Sequence, residues 1–249
     1  QKEEARASWK GSGDTATQKI WFELAKKYNP TIFNGYEKNS VKSKILSILH
    51  NSNEVDFLKD HSIEGCIITE NTCFYGESGG QVGDTGTIKS KNGEFLVSDT
   101  KKTPQGIFIH FGKLISGSMK VSEDVDLSIN EERRSLIMKN HSATHLLHAA
   151  LRNTLGNHVA QRGSLVNSEK LRFDFSHNKQ ISSDDINKIQ DEVNSVIKIT
   201  SKSNIEIKSQ EDAIKSGAIA LFGEKYGDEV RVVTLGSKND NPYSIELCG

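Results

Sequence analysis

His141-Ser142-Ala143-Thr144-His145-Leu146-Leu147-His148 is the stretch around which the rest of this chain is organised. Two of its histidines, His141 and His145, stand four residues apart in an apolar run rich in Ala and Leu. Positions i and i+4 share one face of an α-helix, so both imidazoles can reach a single point. The spacing therefore indicates two ligands for a divalent metal such as zinc.

Two ligands do not complete a zinc site, so the third must come from elsewhere in the chain. The best candidate is Cys248, if the segment Leu247-Cys248-Gly249 folds back against the helix. His148 shares roughly the same helical face and is a rival third ligand, although we expect it to be an ordinary polar residue at the helix surface. On spacing alone, an amphipathic helix without metal explains the pair better. Ser142 stands where the metalloprotease motif His-Glu-x-x-His has its general base, which excludes that motif.

The composition is typical of a globular chain with balanced charge. Its 249 residues suffice for one large or two modest domains. With 32 basic and 33 acidic residues there is no global basic excess, so any nucleic-acid contact must be local. No segment predicts a membrane span or a signal peptide. Three widely spaced cysteines argue against a disulfide framework and favour a reducing, cytoplasmic location.

Residues 1–29 have a charged, helical pattern, and we predict that they form a connector from a preceding domain. Within them, Gly11-Ser12-Gly13 is predicted to be a hinge, because no Lys-Ser/Thr follows as in a phosphate loop. The start without Met and the end at Gly249 lead us to expect a piece of a longer protein. The apolar anchors of the connector are predicted to be Trp9, Trp21, Phe22 and Leu24.

Residues 30–129 contain six short strand-like segments separated by clusters of Gly, Asn or Ser, which is typical of a small barrel or sandwich. Between the second and third segments lies Phe74-Tyr75-Gly76-Glu77-Ser78-Gly79-Gly80-Gln81-Val82-Gly83-Asp84. Its glycines allow sharp turns and close backbone approach, and for most of them a bulged connection within the barrel is expected. Glu77, Ser78 and Gln81 could line a site. The six segments are 41–49, 64–69, 85–89, 94–97, 106–111 and 124–127.

Residues 130–249 mix helix and strand. A long helix at 130–155 is predicted to contain the histidine stretch, and 158–166 with 171–177 could form a hairpin. A second, amphipathic helix at 183–200 is predicted to begin at a Ser183 cap. Its inward residues would be Ile186, Ile189, Val193, Val196 and Ile197. Short strands at 205–207, 230–235 and 244–247 and a short helix at 211–216 complete the set. The fold class is therefore predicted as α+β: a connector helix, a small antiparallel β-barrel, then an antiparallel sheet packed with helices.

Six motifs in this order give the chain a close resemblance to the alanyl-tRNA synthetase family. The resemblance implies that the chain is the editing part of that family, similar to free-standing alanyl-tRNA deacylases and to the editing domain of threonyl-tRNA synthetase. It implies hydrolysis of wrongly charged Ser-tRNA(Ala) or Gly-tRNA(Ala), with the tRNA acceptor end and the rest of the synthetase chain as partners. The motifs are Phe74-Tyr75-x-Glu77-Ser78-Gly79-Gly80-Gln81-x-Gly83-Asp84, His141-Ser142-Ala143-Thr144-His145-Leu146-Leu147, Gly163-Ser164-Leu165-Val166, Arg172-Phe173-Asp174-Phe175-Ser176-His177, Ala220-Leu221-Phe222-Gly223-Glu224-Lys225-Tyr226-Gly227-Asp228 and Ser244-Ile245-Glu246-Leu247-Cys248-Gly249.

The resemblance also implies a zinc site of the form His-x-x-x-His plus Cys-x-x-x-His. The first pair maps to His141 and His145, and the cysteine maps to Cys248. The last histidine would lie beyond Gly249, so we expect weak or absent zinc binding by this chain. Thr144 and Gln161 map to positions that the family uses for serine recognition and editing, and they are the predicted catalytic residues.

A second, hydrolytic site is useful because the synthesis site discriminates poorly between similar amino acids. A synthesis site rejects a substrate with one added hydroxyl only weakly, whereas a pocket with buried hydrogen-bonding groups can accept serine and refuse alanine. Arg162, Arg172 and Gln81 are the predicted contacts to substrate or tRNA. Zinc could activate water or only hold the amino group of the substrate, and the sequence leaves both open. Two further alternatives remain: a non-catalytic tRNA-docking or spacer module, and a free-standing deacylase, against which the connector helix argues.

Overall fold

The computed structural model describes residues 15–59, 63–199, 203–218, 229–238 and 241–248. The chain divides into two compact units, one comprising Gln1–Glu77 and Gly83–Glu131, the other Ser78–Val82 and Glu132–Gly249. Trp9, the predicted Gly11-Ser12-Gly13 hinge and the motif at 220–228 lie outside the described residues. Among the described helices, none is long and apolar enough to span a membrane.

The first unit is built mostly of strands. Its helix is α1, Thr15–Lys27. Its strands are β1 (Ile32–Phe33), β2 (Ser40–His50), β3 (Asn53–Val55), β4 (Phe57–Leu58), β5 (Glu64–Thr69), β6 (Asn71–Thr72), β7 (Gly86–Lys89), β8 (Gly93–Lys102), β9 (Phe108–Gly117), β10 (Met119–Lys120) and β11 (Asp124–Ile129).

Six of these strands close into an antiparallel barrel, as the sequence predicts. The order is β11-β7-β8-β9-β5-β2, and β11 pairs back onto β2. Each predicted strand segment corresponds to one barrel strand. Side chains alternate between the two faces of a strand, and β11 shows this with Val125, Leu127 and Ile129 buried and the residues between them exposed. The interior is filled by large apolar side chains, including Phe74 and Phe95, which are fully buried.

Helix α1 covers a second apolar cluster of the first unit. Leu24 is 2% exposed and packs with Leu49, Ile68, Ile107 and Ile109. Trp21 packs on the same cluster. Phe22, which was predicted to be an anchor, is 51% exposed, so that prediction is wrong. Successive residues of a helix point about 100° apart, which turns Phe22 away from the face that Trp21 and Leu24 share.

The second unit contains three helices and five strands among the described residues. The helices are α2 (Glu131–Leu155), α3 (Ser183–Lys198) and α4 (Gln210–Lys215). The strands are β12 (Gln161–Val166), β13 (Leu171–Phe175), β14 (Asn204–Ser209), β15 (Glu229–Lys238) and β16 (Asn241–Cys248). Strands β12 and β13 form the predicted hairpin, and β14-β15-β16 form an antiparallel sheet. The α+β prediction is confirmed.

Apolar packing joins α2 to α3 and to the three-stranded sheet. Leu146 of α2 packs with Val196 of α3, with Val233 and Leu235 of β15, and with Cys248 of β16. A fully buried Val or Leu side chain contributes about 1.5–3 kcal/mol, so this cluster holds α2 against the sheet.

Helix α3 departs from the prediction at two points. Ser182, rather than Ser183, is the N-cap, and its side chain accepts a hydrogen bond from the Asp185 amide. Ile186 and Ile197 were predicted to point inward but are about half exposed, at 51% and 52%. Ile186 lies in the first turn of the helix, and Ile197 points about 100° away from the buried Val196.

Candidate metal centre

Three potential metal ligands converge in the second unit. His141 and His145 lie on α2, Cys248 is the last residue of β16, and their ligand atoms are all within 4.8 Å of one another. The Cys248 Sγ is 3.5 Å from the His141 Nε2. The two imidazole rings are stacked, with centroids 5.1 Å apart. The convergence expected from the sequence is present, and metal binding there stays a prediction.

Strand periodicity explains how Cys248 reaches the helix. Ser244, Glu246 and Cys248 alternate along β16 and are all buried. Leu247 and Ile245 alternate with them and belong to a separate apolar cluster that contains Ala213 of α4. Alternate residues of a strand share one face, so β16 presents a polar row on one side and an apolar row on the other.

Both histidines of the pair are hydrogen-bonded through Nδ1 to a side-chain oxygen. The amide Oε1 of Gln81 is 2.6 Å from the Nδ1 of His141, and the Oε2 of Glu246 is 2.6 Å from the Nδ1 of His145. Both oxygens accept, so each ring donates its Nδ1–H. The Nε2 of His145 is buried without a hydrogen-bond partner among the described residues. Each ring is therefore oriented through Nδ1 and leaves Nε2 for the cluster.

The buried ionisable groups of this cluster shift one another's pKa values. Burial opposes ionisation of Glu246, but His145 and His148 outweigh it and lower the pKa of Glu246 to about 2. Burial likewise opposes the Cys248 thiolate, but His141 and His145 outweigh it and lower the pKa of Cys248 to about 6. For His145, burial acts against the imidazolium, while the neighbouring Cys248 sulfur and Glu246 carboxylate raise its pKa to about 10. The cluster thus favours a thiolate, the form of cysteine that binds metals.

The donor set fits zinc, the metal that the family resemblance implies. Zinc takes imidazole nitrogens at about 2.0–2.1 Å and thiolate sulfur at about 2.3 Å, in a roughly tetrahedral arrangement. Two nitrogens and a low-pKa thiol within 4.8 Å of one another can supply three of its ligands. A carbonyl or carboxylate partner on the second ring nitrogen is the usual support for a zinc-binding histidine.

The glycine-rich segment delivers Gln81 to this cluster. Val166 of β12 donates its amide to the Gly80 oxygen at 2.8 Å. Gly80 has a φ of +82°, and a Cβ there would lie 2.6 Å from the Ser164 backbone oxygen, so the close packing requires glycine. Gly83 fits the expected barrel connection, since its Cβ would meet the Thr100 backbone, whereas Gly80 packs against Ser164 of β12.

The remaining predicted site residues have other contacts. Thr144 is 6% exposed, and its hydroxyl donates to the Asn140 carbonyl at 2.9 Å, within its own helix. The Gln161 amide donates to the Ser164 hydroxyl at 3.4 Å, a long hydrogen bond. Gln161 lies on β12, whereas Thr144 lies on α2, three residues after His141 and on the same side of the helix as that histidine.

Both predicted tRNA-binding arginines are exposed on the β12–β13 hairpin. Arg162 lies where the pairing register shifts between Gln161 and Gly163. The Arg172 Nε lies 3.2 Å from the Asp174 carboxylate, and both side chains are solvent-exposed. Such a surface ion pair is weak, so Arg172 remains able to contact a phosphate.

Sequence reasoning missed Glu246 and misjudged His148. The prediction that His148 is a surface residue is wrong, since it is 2% exposed and its Nδ1 is 3.1 Å from the Glu246 Oε1. The alternation Ser244-x-Glu246-x-Cys248 was the available signal, because it places Glu246 on the same strand face as the predicted ligand.

Comparison with known proteins places the chain in a family. Residues 1–133 match the family described as tRNA synthetases class II (A). The chain is 46% identical to the alanine–tRNA ligase of Chelativorans sp. (strain BNC1), 47% identical to that of Rhizobium meliloti (strain 1021) and 46% identical to that of Parvibaculum lavamentivorans. These alignments cover 100% of this chain and 28% of each relative. Because the family match covers more than half of its residues, the chain belongs to the class II (A) tRNA synthetases.

Proposed function

We propose that this chain is the editing part of an alanine–tRNA ligase and hydrolyses tRNA(Ala) wrongly charged with serine or glycine. The observation that carries the proposal is the convergence of His141, His145 and Cys248 in a chain similar to alanine–tRNA ligases. The order of a β-barrel followed by an α+β unit agrees with the resemblance to the editing region.

An editing site is needed because serine and glycine resemble alanine closely. Binding energy distinguishes two substrates that differ by one small group by only about 1–3 kcal/mol. A separate hydrolytic site that accepts the wrong product and refuses alanine adds a second selection. Such a site must offer serine a buried hydrogen-bonding partner that alanine cannot satisfy.

Thr144 is the residue that we assign to serine recognition. Its hydroxyl hydrogen is used by the Asn140 carbonyl, which leaves oxygen lone pairs able to accept a hydrogen bond. The hydroxyl of serine can donate to that oxygen, whereas the methyl group of alanine would leave the buried lone pairs of the oxygen without a donor. The i, i+3 spacing of His141 and Thr144 on α2 supports this assignment.

His141, His145 and Cys248 are the residues that would hold zinc. When bound there, zinc would supply either a Lewis acid for the hydrolytic reaction or an anchor for the amino group of the substrate. Gln81 orients His141 through its Nδ1–H. Gln161 lies on β12 and is proposed to contact the terminal ribose of the tRNA, which carries the amino acid through the ester bond that is cleaved. The fourth ligand that the resemblance places beyond Gly249 stays a prediction.

Phosphate contacts are assigned to Arg162 and Arg172. Both are exposed on one hairpin, and arginine binds phosphate through two parallel N–H donors. Their contacts would fix the register of the acceptor end without reading its sequence.

Deacylation assays test this proposal. The chain is incubated with Ser-tRNA(Ala), Gly-tRNA(Ala) and, as control, Ala-tRNA(Ala), and a version extended past the predicted fourth ligand is assayed in parallel. We expect the first two substrates to lose their amino acid and Ala-tRNA(Ala) to stay charged. Thr144→Val should weaken discrimination between serine and alanine at unchanged zinc content, by an amount equivalent to about 1–3 kcal/mol.

The same assays can reject the proposal. Binding of tRNA(Ala) without turnover by both the chain and the extended version would favour the docking or spacer module. Equal hydrolysis of Ser-tRNA(Ala) and Ala-tRNA(Ala) would remove the argument for an editing site. An extension that changes neither zinc content nor deacylation would show that the assigned fourth ligand is wrong.

A further inference from the structure

Glu246 is a buried carboxylate that serves two histidines at once. It is 2% exposed. Its Oε2 accepts the Nδ1–H of His145 at 2.6 Å, and its Oε1 accepts the Nδ1–H of His148 at 3.1 Å and the Ser244 hydroxyl at 3.1 Å. Three protein donors therefore replace water around this carboxylate.

These contacts determine which nitrogen each ring presents elsewhere. A carboxylate only accepts hydrogen bonds, so each imidazole beside it donates its Nδ1–H and directs its Nε2 elsewhere. In the part of the chain that the structure describes, the Nε2 atoms of His145 and His148 are both buried without a hydrogen-bond partner. His145 belongs to the group of potential ligands that converges with Cys248, and because Glu246 occupies its Nδ1, Nε2 is the nitrogen that can bind a metal when its proton is released.

We propose that Glu246 is the positioning residue of the candidate metal centre, acting on His145 directly and braced by His148 and Ser244. The inference rests on the metal ligands named in the proposed function. Glu246 and Cys248 are two residues apart on β16, so the strand that brings the thiol to α2 also brings the carboxylate that orients the facing imidazole. His148 occupies the second oxygen, which stops the carboxylate from rotating away from His145.

Glu192 offers a matched control for this role. Its Oε1 accepts hydrogen bonds from Tyr243 of β16 at 2.8 Å and from Asn153 of α2 at 2.7 Å. Glu192 thus links the same strand and the same helix as Glu246 does, without contacting the three candidate ligands. Substituting Glu192 separates a general loosening of β16 from the loss of histidine orientation.

The experiment uses the version extended past the predicted fourth ligand as the parent chain, and compares it with its Glu246→Gln and Glu192→Gln variants by three measurements. Zinc affinity is measured by competition with a chromophoric chelator. Nitrogen-15 NMR of the metal-free chain detects ring N–H protons at Nδ1 that hydrogen bonding protects from exchange, and thermal melting reports stability. For Glu246→Gln we expect about 10–100-fold weaker zinc binding and loss of at least one of the two protected Nδ1–H signals, because an amide offers one acceptor oxygen where the carboxylate offers two. Glu192→Gln should lower the melting temperature but retain the zinc affinity and both signals.

Three results would overturn the inference: a Glu246→Gln chain with the same zinc affinity as Glu192→Gln, retention of both Nδ1–H signals, or a parent chain that binds no zinc. The proposed function fails differently. A parent chain that binds zinc and shows the expected Glu246→Gln effects, but leaves Ser-tRNA(Ala) intact, supports the positioning role and rejects editing.

Discussion

Among the described residues, buried histidines occur in two settings that differ in how the second ring nitrogen is bonded. In the barrel unit, His110 is fully buried and both ring nitrogens are bonded, Nδ1 to the Ile67 oxygen at 2.9 Å and Nε2 to the Thr72 hydroxyl at 2.8 Å. In the second unit, His145 and His148 are bonded at Nδ1, and their Nε2 atoms have no hydrogen-bond partner among the described residues.

The bonding of the second ring nitrogen has an energetic consequence. A buried polar atom without a partner costs about 1–3 kcal/mol, so a fold that only needs stability satisfies both nitrogens, as at His110. At the Nε2 atoms of His145 and His148 this cost remains among the described residues, and for His145 we propose that a metal supplies the missing partner. Burial alone therefore does not distinguish His110 from His145, whereas the bonding of the second ring nitrogen does.

The largest expected effect is at Cys248. Cys248→Ala removes the only sulfur from the His141, His145, Cys248 group, and we expect zinc binding to fall by more than the roughly 10–100-fold that losing an outer-sphere partner costs. Deacylation should fall with it. Cys66→Ala in the barrel unit is the control, because burial raises the pKa of the Cys66 thiol to about 12 and keeps it neutral. Unchanged zinc content in Cys248→Ala would contradict the assignment of Cys248 as a ligand.

A second prediction concerns pH and the barrel histidine. Burial lowers the pKa of His110 to about 4 against the Ile67 hydrogen bond, from 6.5 for an ordinary histidine. As the pH falls, the unfolded chain takes up this proton before the folded chain does. The free energy of unfolding is therefore highest above about pH 6.5 and decreases as the pH approaches about 4. The loss should reach roughly 3 kcal/mol.

Urea unfolding followed by Trp21 fluorescence measures this loss, since Trp21 packs edge-on against Phe111 in the same unit. Compared with the parent, His110→Gln should flatten the pH dependence between these limits. A parallel pH dependence in His110→Gln would show that another group is responsible.

A smaller effect is expected at Gln81. Gln81→Leu removes the oxygen that accepts the His141 Nδ1–H, and we expect zinc affinity to fall by about 10-fold, the lower end of the range for such partners, because the lost acceptor is neutral. Gln81→Glu keeps an acceptor at this position and should retain most of the affinity. Equal affinities in all three chains would mean that His141 needs no orientation.

The smallest effect is expected at Tyr243. Tyr243→Phe removes its hydrogen bond to Glu192 and should cost about 1 kcal/mol of unfolding free energy in the second unit. Zinc affinity should stay as in the parent. A loss of zinc binding here would show that stability and ligand geometry cannot be separated in this unit, and thermal melting beside chelator competition measures both.

Local patterns were enough to predict much of this molecule. The spacing of His141 and His145 follows from 3.6 residues per turn, and the barrel strands follow from short alternating segments between turn residues. Terminal details were less predictable: Ser182 rather than Ser183 caps α3, because neighbouring serines offer the same hydroxyl and only the backbone selects between them. Ile186 and Ile197 fit the helical period, yet packing buries only part of that stripe.

By itself, the sequence determined the family, the element types and the pair of histidines on one helical face, because each depends on residues close together along the chain. Only the tertiary structure decided that Cys248 lies 3.5 Å from the His141 Nε2, that Glu246 bridges His145 and His148, and that Gln81 reaches His141. These contacts join residues 60 to 107 positions apart. Over such distances the packing of β16 and the glycine-rich segment against the rest of the unit sets which side chains meet, and no local period encodes it.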